Sequence, residues 1–190
     1  MEIGDYNPMA DNEKLTISKI EAARSQLDTA IELWFRDGDP VSIHTLAAAA
    51  YQVVHDIKTH RGIEQELMYD SIVIKDEYRS LWINLVKKQQ NFFKHADRDP
   101  NELVEFPLSA NVLFMVMSLY GLEILGEKKS IPMRIFNTWL SLNEYSAIKK
   151  EYVAELKEKA KAFGISDFGI FRTIDKTMLF DVLKQRLSAE

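Results

Sequence analysis

Asn91 and His95 stand four residues apart, so on a helix they share a face. They lie in the polar stretch Lys87-Lys88-Gln89-Gln90-Asn91-Phe92-Phe93-Lys94-His95-Ala96-Asp97-Arg98-Asp99-Pro100. Gln90 and Lys94 form the neighbouring pair at the same spacing. His95 falls near the expected C-terminus of a helix, where the backbone dipole favours a protonated imidazole. In the loop beyond, Asp97 or Asp99 can fold back and accept from a ring nitrogen. A histidine oriented by a carboxylate is suited to general acid or base work. Lys87, Lys88, Lys94 and Arg98 add positive charge that can hold a phosphate. The plainer alternative needs no chemistry: Lys and His stabilise a helix end, and Asp-Arg-Asp-Pro is ordinary loop sequence.

Other residues carry weaker indications. His44 and His55 lie eleven apart, about 16 Å along a helix, which is too far to share a metal. His44 can meet His95 from another helix, or sit partly buried on a backbone partner. His55 and His60 are expected on the surface. The Glu-x-x-His pattern of helical metal bundles is absent, so no metal site and no cofactor are expected. Phosphate-cradling glycine loops, the nucleophile elbow and the zincin pattern are absent too. Phe92, Phe93, Phe114, Met115, Met117 and Tyr120 recur at helical spacing and read as core before pocket lining.

The elements that must position these residues are helices. Seven Gly and five Pro are too few for the turns of an all-β chain. Ile17, Ile20, Leu27, Ile31 and Trp34 mark a helix over about 15–36, which Asp37-Gly38 ends with Gly38 as the left-handed cap. Asp39 caps the next helix, Pro40 opens it, and it continues to about Lys58 with the small run Ala47–Ala50. These two form an antiparallel pair. Thr59–Lys75 has no clear period; Ile63–Tyr69 is compatible with a short helix, and Ile72–Ile74 with a strand or a buried connection. A helix follows over about 76–94, with Tyr78, Leu81, Leu85 and Phe92 on one side and Trp82, Val86 and Phe93 beside them. A polar loop runs over 96–107. The helix over about 109–125 is apolar enough to be central, through Val112, Leu113, Val116, Leu119, Tyr120 and Ile124, and Gly126 ends it. Further helices are expected over about 132–142, 144–163 and 174–187. The fold is thus an all-α bundle of six to eight helices. Met1–Glu13 reads as a flexible stretch and 14–190 as one helical domain, in which 165–190 is either core or appendage.

With 46% hydrophobic and 28% charged residues, the chain can bury a core and remain soluble. Its net charge of −5 argues against a general nucleic-acid coat protein. The absence of cysteine excludes disulfides, thiolate metal sites and a cysteine nucleophile. The first residues lack a secretory pattern, and no apolar run approaches a membrane span, so a cytoplasmic protein without membrane contact is expected.

Gln90-Asn91-Phe92-Phe93-Lys94-His95 resembles the signature of the HEPN superfamily of helical bundles. In that signature an arginine, often followed by Asn, precedes a His by about five positions, late in a long helix. The resemblance implies a bacterial defence, toxin–antitoxin or stress setting, a homodimer, and either an RNase or a non-catalytic binding module. Asn91 and His95 match, whereas Gln90 stands at the arginine position and lacks its guanidinium fork. The expected function is therefore a non-catalytic interaction module or RNA-binding protein, bound to RNA or a partner protein. The alternative is a metal-independent RNase. In it His95 is the acid or base, Asn91 positions, and Lys94, Asp97, Arg98, Gln90 and His44 serve binding. A small-molecule or metal-binding bundle is the third reading.

Overall fold

The computed structural model describes residues 14–70, 75–97, 99–142 and 175–189. Among them are six helices and no strand: α1 (Lys19–Phe35), α2 (Pro40–His60), α3 (Asp76–Phe92), α4 (Ser109–Ile124), α5 (Ile131–Leu142) and α6 (Lys176–Leu187). The all-α bundle expected from the sequence is what forms. The expected helix over 144–163, the flexible start and the 72–74 connection fall outside the described residues.

α1 begins later than its apolar spacing suggests, because Ser18 caps it. The Ser18 hydroxyl accepts from the Glu21 amide at 3.2 Å, and Glu21 accepts from the Ser18 amide at 2.8 Å. This reciprocal box satisfies two of the amides that a helix start leaves open. Ile17 is consequently outside the helix and exposed. The buried stripe is instead Ala23, Leu27, Ala30, Ile31 and Phe35.

The turn after α1 also differs from expectation. Asp37, not Gly38, takes the left-handed conformation, at φ 51°. The Gly38 amide donates to the Leu33 carbonyl at 2.8 Å, closing the wide loop that ends the helix. The glycine serves close approach: a Cβ there would lie 3.0 Å from that carbonyl oxygen. α6 completes the end. Lys176 Nζ donates to the Trp34 carbonyl at 2.6 Å, and Thr177 Oγ1 to the Phe35 carbonyl at 2.7 Å.

Asp39 and Pro40 start α2 as expected, with the Ser42 amide donating to the Asp39 carboxylate at 2.7 Å. α2 then packs against α1 and α4. Its Ala47, Ala48 and Ala50 are fully buried, and Ser118 of α4 donates to the Ala47 carbonyl at 3.2 Å. Small side chains are what let this backbone come so near. Gly121 works the same way from the α4 side, since a Cβ on it would overlap Val54 Cγ1. Gly121→Ala is expected to lower stability by about 1–3 kcal/mol, the usual cost of overpacking, measured as a lower urea midpoint at unchanged m-value.

α4 is apolar all round, so periodicity could not select its inner face. That face holds Phe114, Met115, Ser118, Leu119 and Leu122. Leu113 and Tyr120, expected inside, are exposed. α5 packs on α1 and α6 through Met133, Ile135 and Phe136. There Trp34 meets Trp139 with centroids 4.6 Å apart, and Phe35 meets Phe180 of α6 at 5.0 Å. Phe180 is fully buried in the same hydrophobic cluster as α1 and α2.

Ile63–Tyr69 is not a helix. The chain runs irregularly into a turn at 68–70, because burying Leu67, Met68 and Tyr69 consecutively cannot be done from one helix face. The turn is pinned to α2 and carries α3. The Tyr69 amide donates to the Tyr51 hydroxyl at 3.1 Å. Trp82 Nε1 donates to the Met68 carbonyl and Arg79 to the Asp70 carbonyl, both at 2.8 Å. Lys87 lies over the Tyr69 ring, 4.7 Å from its centroid. α3 thereby turns Trp82, Ile83 and Val86 toward the core.

Candidate functional site

A polar cleft of about 510 Å³ opens at the C-terminal end of α3. α3 contributes Asn84, Lys88, Asn91 and Phe92; the segment after it contributes His95, Asp97, Asp99 and Glu102. The volume lies within the range of small-ligand pockets.

The helix stops at Phe92, one turn before His95. The Lys94 and His95 amides both donate to the Asn91 carbonyl, at 3.1 and 3.0 Å, and this turn delivers His95 to the side of the cleft that Asn91 already faces. The Glu102 amide donates to the Asp99 carbonyl at 3.0 Å, closing a turn over Asp99-Pro100-Asn101-Glu102. That turn returns Glu102 to the cleft. Its sequence carries the signal, with Asp first, Pro second and Asn third, although Glu102 was not among the expected site residues.

The structure brings Asn91, His95 and Asp97 together and places Gln90, Lys94 and His44 outside the cleft lining. The His95 ring is exposed and makes no hydrogen bond among the described residues, to Asp97 or Asp99 or otherwise. Gln90 is buried on the opposite, core-facing side of α3. Lys94 does not line the cleft. Its ammonium is pushed below the usual lysine range by burial and by Lys87. Arg98 lies outside the described residues. Of the four cations expected around His95, Lys88 alone is among the described lining residues. The described lining residues therefore include three carboxylates and one ammonium.

His44 does not meet His95 and has no backbone partner. It is fully buried under the loop that follows α3, boxed by Phe93, Phe106 and Phe114 with centroids 5.7, 5.0 and 5.0 Å away. Asn111 Nδ2 donates to the Pro40 carbonyl at 3.0 Å, which turns its Oδ1 toward His44 Nδ1, 3.1 Å away. Nδ1 thus carries the proton and donates. Nε2 is left as a buried lone pair without a partner. Burial pushes the imidazole below its ordinary value and Lys94 adds to this, against the Asn111 hydrogen bond.

His55 is not the surface residue expected. Its Nε2 and Lys58 Nζ both meet the Asp70 carboxylate, at 3.0 and 2.8 Å, beside the buried Tyr51 and Tyr69. Burial pushes the Asp70 carboxyl up, but hydrogen bonds from Lys58, His55 and the Leu67 amide outweigh it and hold the group below the carboxylate range. This cluster fastens the 67–70 turn and opens on no cavity among the described ones.

No group of three or more His, Asp or Glu among the described residues could hold a metal ion. No described helix is long and apolar enough to cross a membrane. No family model, curated protein or solved structure matches the chain.

Proposed function

We propose that the chain is a non-catalytic helical interaction module, HEPN-like in plan, cytoplasmic and homodimeric. Its recognition site is the cleft at the end of α3, and its partner is a basic protein segment. The charge of the lining carries this reading. Among the described lining residues Asp99 and Glu102 face the single ammonium of Lys88, a balance that attracts a lysine or arginine side chain and opposes a phosphate. The chain's net charge of −5 acts in the same direction. Gln90 in the core supports it too, since the position that matches the superfamily arginine does not face the cleft.

One observation favours the RNase reading: Asn91 and His95 line the same cleft, where both can reach a ribose or a phosphate. A single pair of assays separates the two. Labelled arginine-rich peptide and single-stranded RNA are each titrated onto the protein, and the RNA is also incubated with chelator. The expected result is peptide binding, weakened about tenfold in Asp99→Asn/Glu102→Gln, with intact RNA. RNA cleavage that survives chelator and disappears in His95→Ala would overturn the proposal in favour of a metal-independent RNase.

A further inference from the structure

α3 is apolar on two sides, and the core uses one. Trp82, Ile83 and Val86 pack against the hydrophobic cluster, while Tyr78, Leu81 and Leu85 are 54, 67 and 60% exposed. At steps of three and four residues these three form a continuous stripe along the outer face. Single exposed leucines need no explanation, but a contiguous row beside an otherwise polar surface marks a contact site.

The charges flanking the stripe identify what covers it. With each residue advancing 100° around the helix, Glu77 and Lys88 fall on the same flank of the stripe, about a turn and a half before and after its centre. When two copies of one helix pack antiparallel about a two-fold axis, residues on the same flank face each other. Setting Leu81 against the partner's Leu85 then places Glu77 within one residue of the level of the partner's Lys88, twice by symmetry. Neither Glu77 nor Lys88 has an ion-pair partner among the described residues. A parallel arrangement would instead bring opposite flanks together, leaving Glu77 and Lys88 of the two copies on different sides of the contact with no ion pair between them. The stripe is thus complementary to itself in one orientation.

We infer that a second copy of this chain docks antiparallel on the outer face of α3, through Tyr78, Leu81 and Leu85, with Glu77 of each copy against Lys88 of the other. The inference specifies the homodimer proposed above and is independent of what the cleft binds. It has a consequence for the cleft, because Lys88 belongs to both surfaces. Pairing occupies the lining's one described ammonium with the partner's carboxylate and brings a further acid, Glu77 of the partner subunit, to the mouth. The two clefts then lie on one side of the dimer.

Sedimentation equilibrium on the full chain tests this. The wild-type protein is expected to be dimeric at about 10 μM. Leu85→Asp, which enters the contact twice, raises the dimer dissociation constant about a hundredfold while leaving the thermal melt of the monomer intact. Leu103→Asp, at a loop position 96% exposed and off this face, leaves the constant unchanged. Glu77→Lys and Lys88→Glu each weaken the dimer about fivefold, and the double exchange restores it to within about twofold. A wild-type monomer at 100 μM, a dimer indifferent to Leu85→Asp, or a double exchange that fails to restore it would overturn the inference. Leu85 and Glu77 lie off the cleft, so loss of peptide binding in a protein that still dimerises counts against the cleft alone.

Discussion

Acidification from pH 7 to pH 5 is expected to remove up to about 2 kcal/mol of stability through His44 alone, and His44→Gln is expected to abolish that slope. In the folded protein the imidazole is held neutral below its ordinary value of 6.5, first by burial and then by Lys94. The unfolded chain therefore binds the proton more readily. The stabilisation is complete above about pH 6.5 and falls as pH drops from there toward the folded value, by at most about 1.4 kcal/mol per pH unit. The cause is geometric: protonating Nε2 creates a buried N–H that faces three phenyl rings and no acceptor. Two of those rings, Phe93 and Phe106, bracket the segment that builds the acidic side of the cleft. Amide exchange over 93–108 should accordingly accelerate between pH 7 and pH 5 in the wild type more than in His44→Gln. Urea midpoints across the same interval measure the global term. Equal slopes in the two proteins would remove His44 as the cause.

Lys58→Met is expected to cost about 2–3 kcal/mol, a large effect for a polar substitution. Its ammonium is buried, and removing it leaves Asp70, whose side chain is 28% exposed, with His55 and one amide. Complete burial would place the cost at about 3–5 kcal/mol; the partial access of water to Asp70 reduces it. The carboxyl's depressed value gives the opposite pH window from His44. Its stabilisation is present above the ordinary value of 3.8 and is lost as pH falls below that toward the folded value. The double variant Lys58→Met/Asp70→Leu should recover part of the loss, because it removes the orphaned carboxylate together with its partner. Chemical denaturation of the four proteins at pH 7 checks the cycle. A single-variant cost below about 0.5 kcal/mol would show that the turn is held by its buried Leu67, Met68 and Tyr69 without the ion pair.

Much of the fold could be read from local signals, because those signals act locally. Asp39 and Pro40 start α2 through bonds and dihedrals confined to one turn. Gly126 ends α4 at φ 82° for the same reason. What could not be read were choices between equivalent faces. α4 offers apolar residues in every direction, and only the position of α2 selects Phe114 and Leu122 over Leu113 and Tyr120. α3 offers two apolar sides, and the turn at 68–70 decides which is covered, by anchoring Trp82 and Arg79. The site divides along the same line. The common face of Asn91 and His95 follows from their four-residue spacing, and it survives even though the helix ends between them. The burial of Gln90 follows from rotation about the same axis, but only once the inner side of α3 is known. The pairing of His44 with Asn111 spans 67 residues, and that of His55 with Asp70 depends on a turn without helical period. Neither leaves a trace in the local sequence.

The contact of α6 with the end of α1 sets an order of events in the making of the protein. The carbonyls of Trp34 and Phe35 receive their donors from Lys176 and Thr177, 142 residues later in the chain. Glu32 pairs with Lys184, and Arg36 with Asp181. At ribosomal speeds of about 5–20 residues per second, the end of α1 waits on the order of ten seconds for the groups that finish it. During that interval Phe35 and Trp34 lack the Phe180 ring and the lysine that cover them. A nascent chain is therefore most exposed to capture by chaperones after its first helical pair has formed, and it is released from that hazard only as the α6 segment leaves the ribosome.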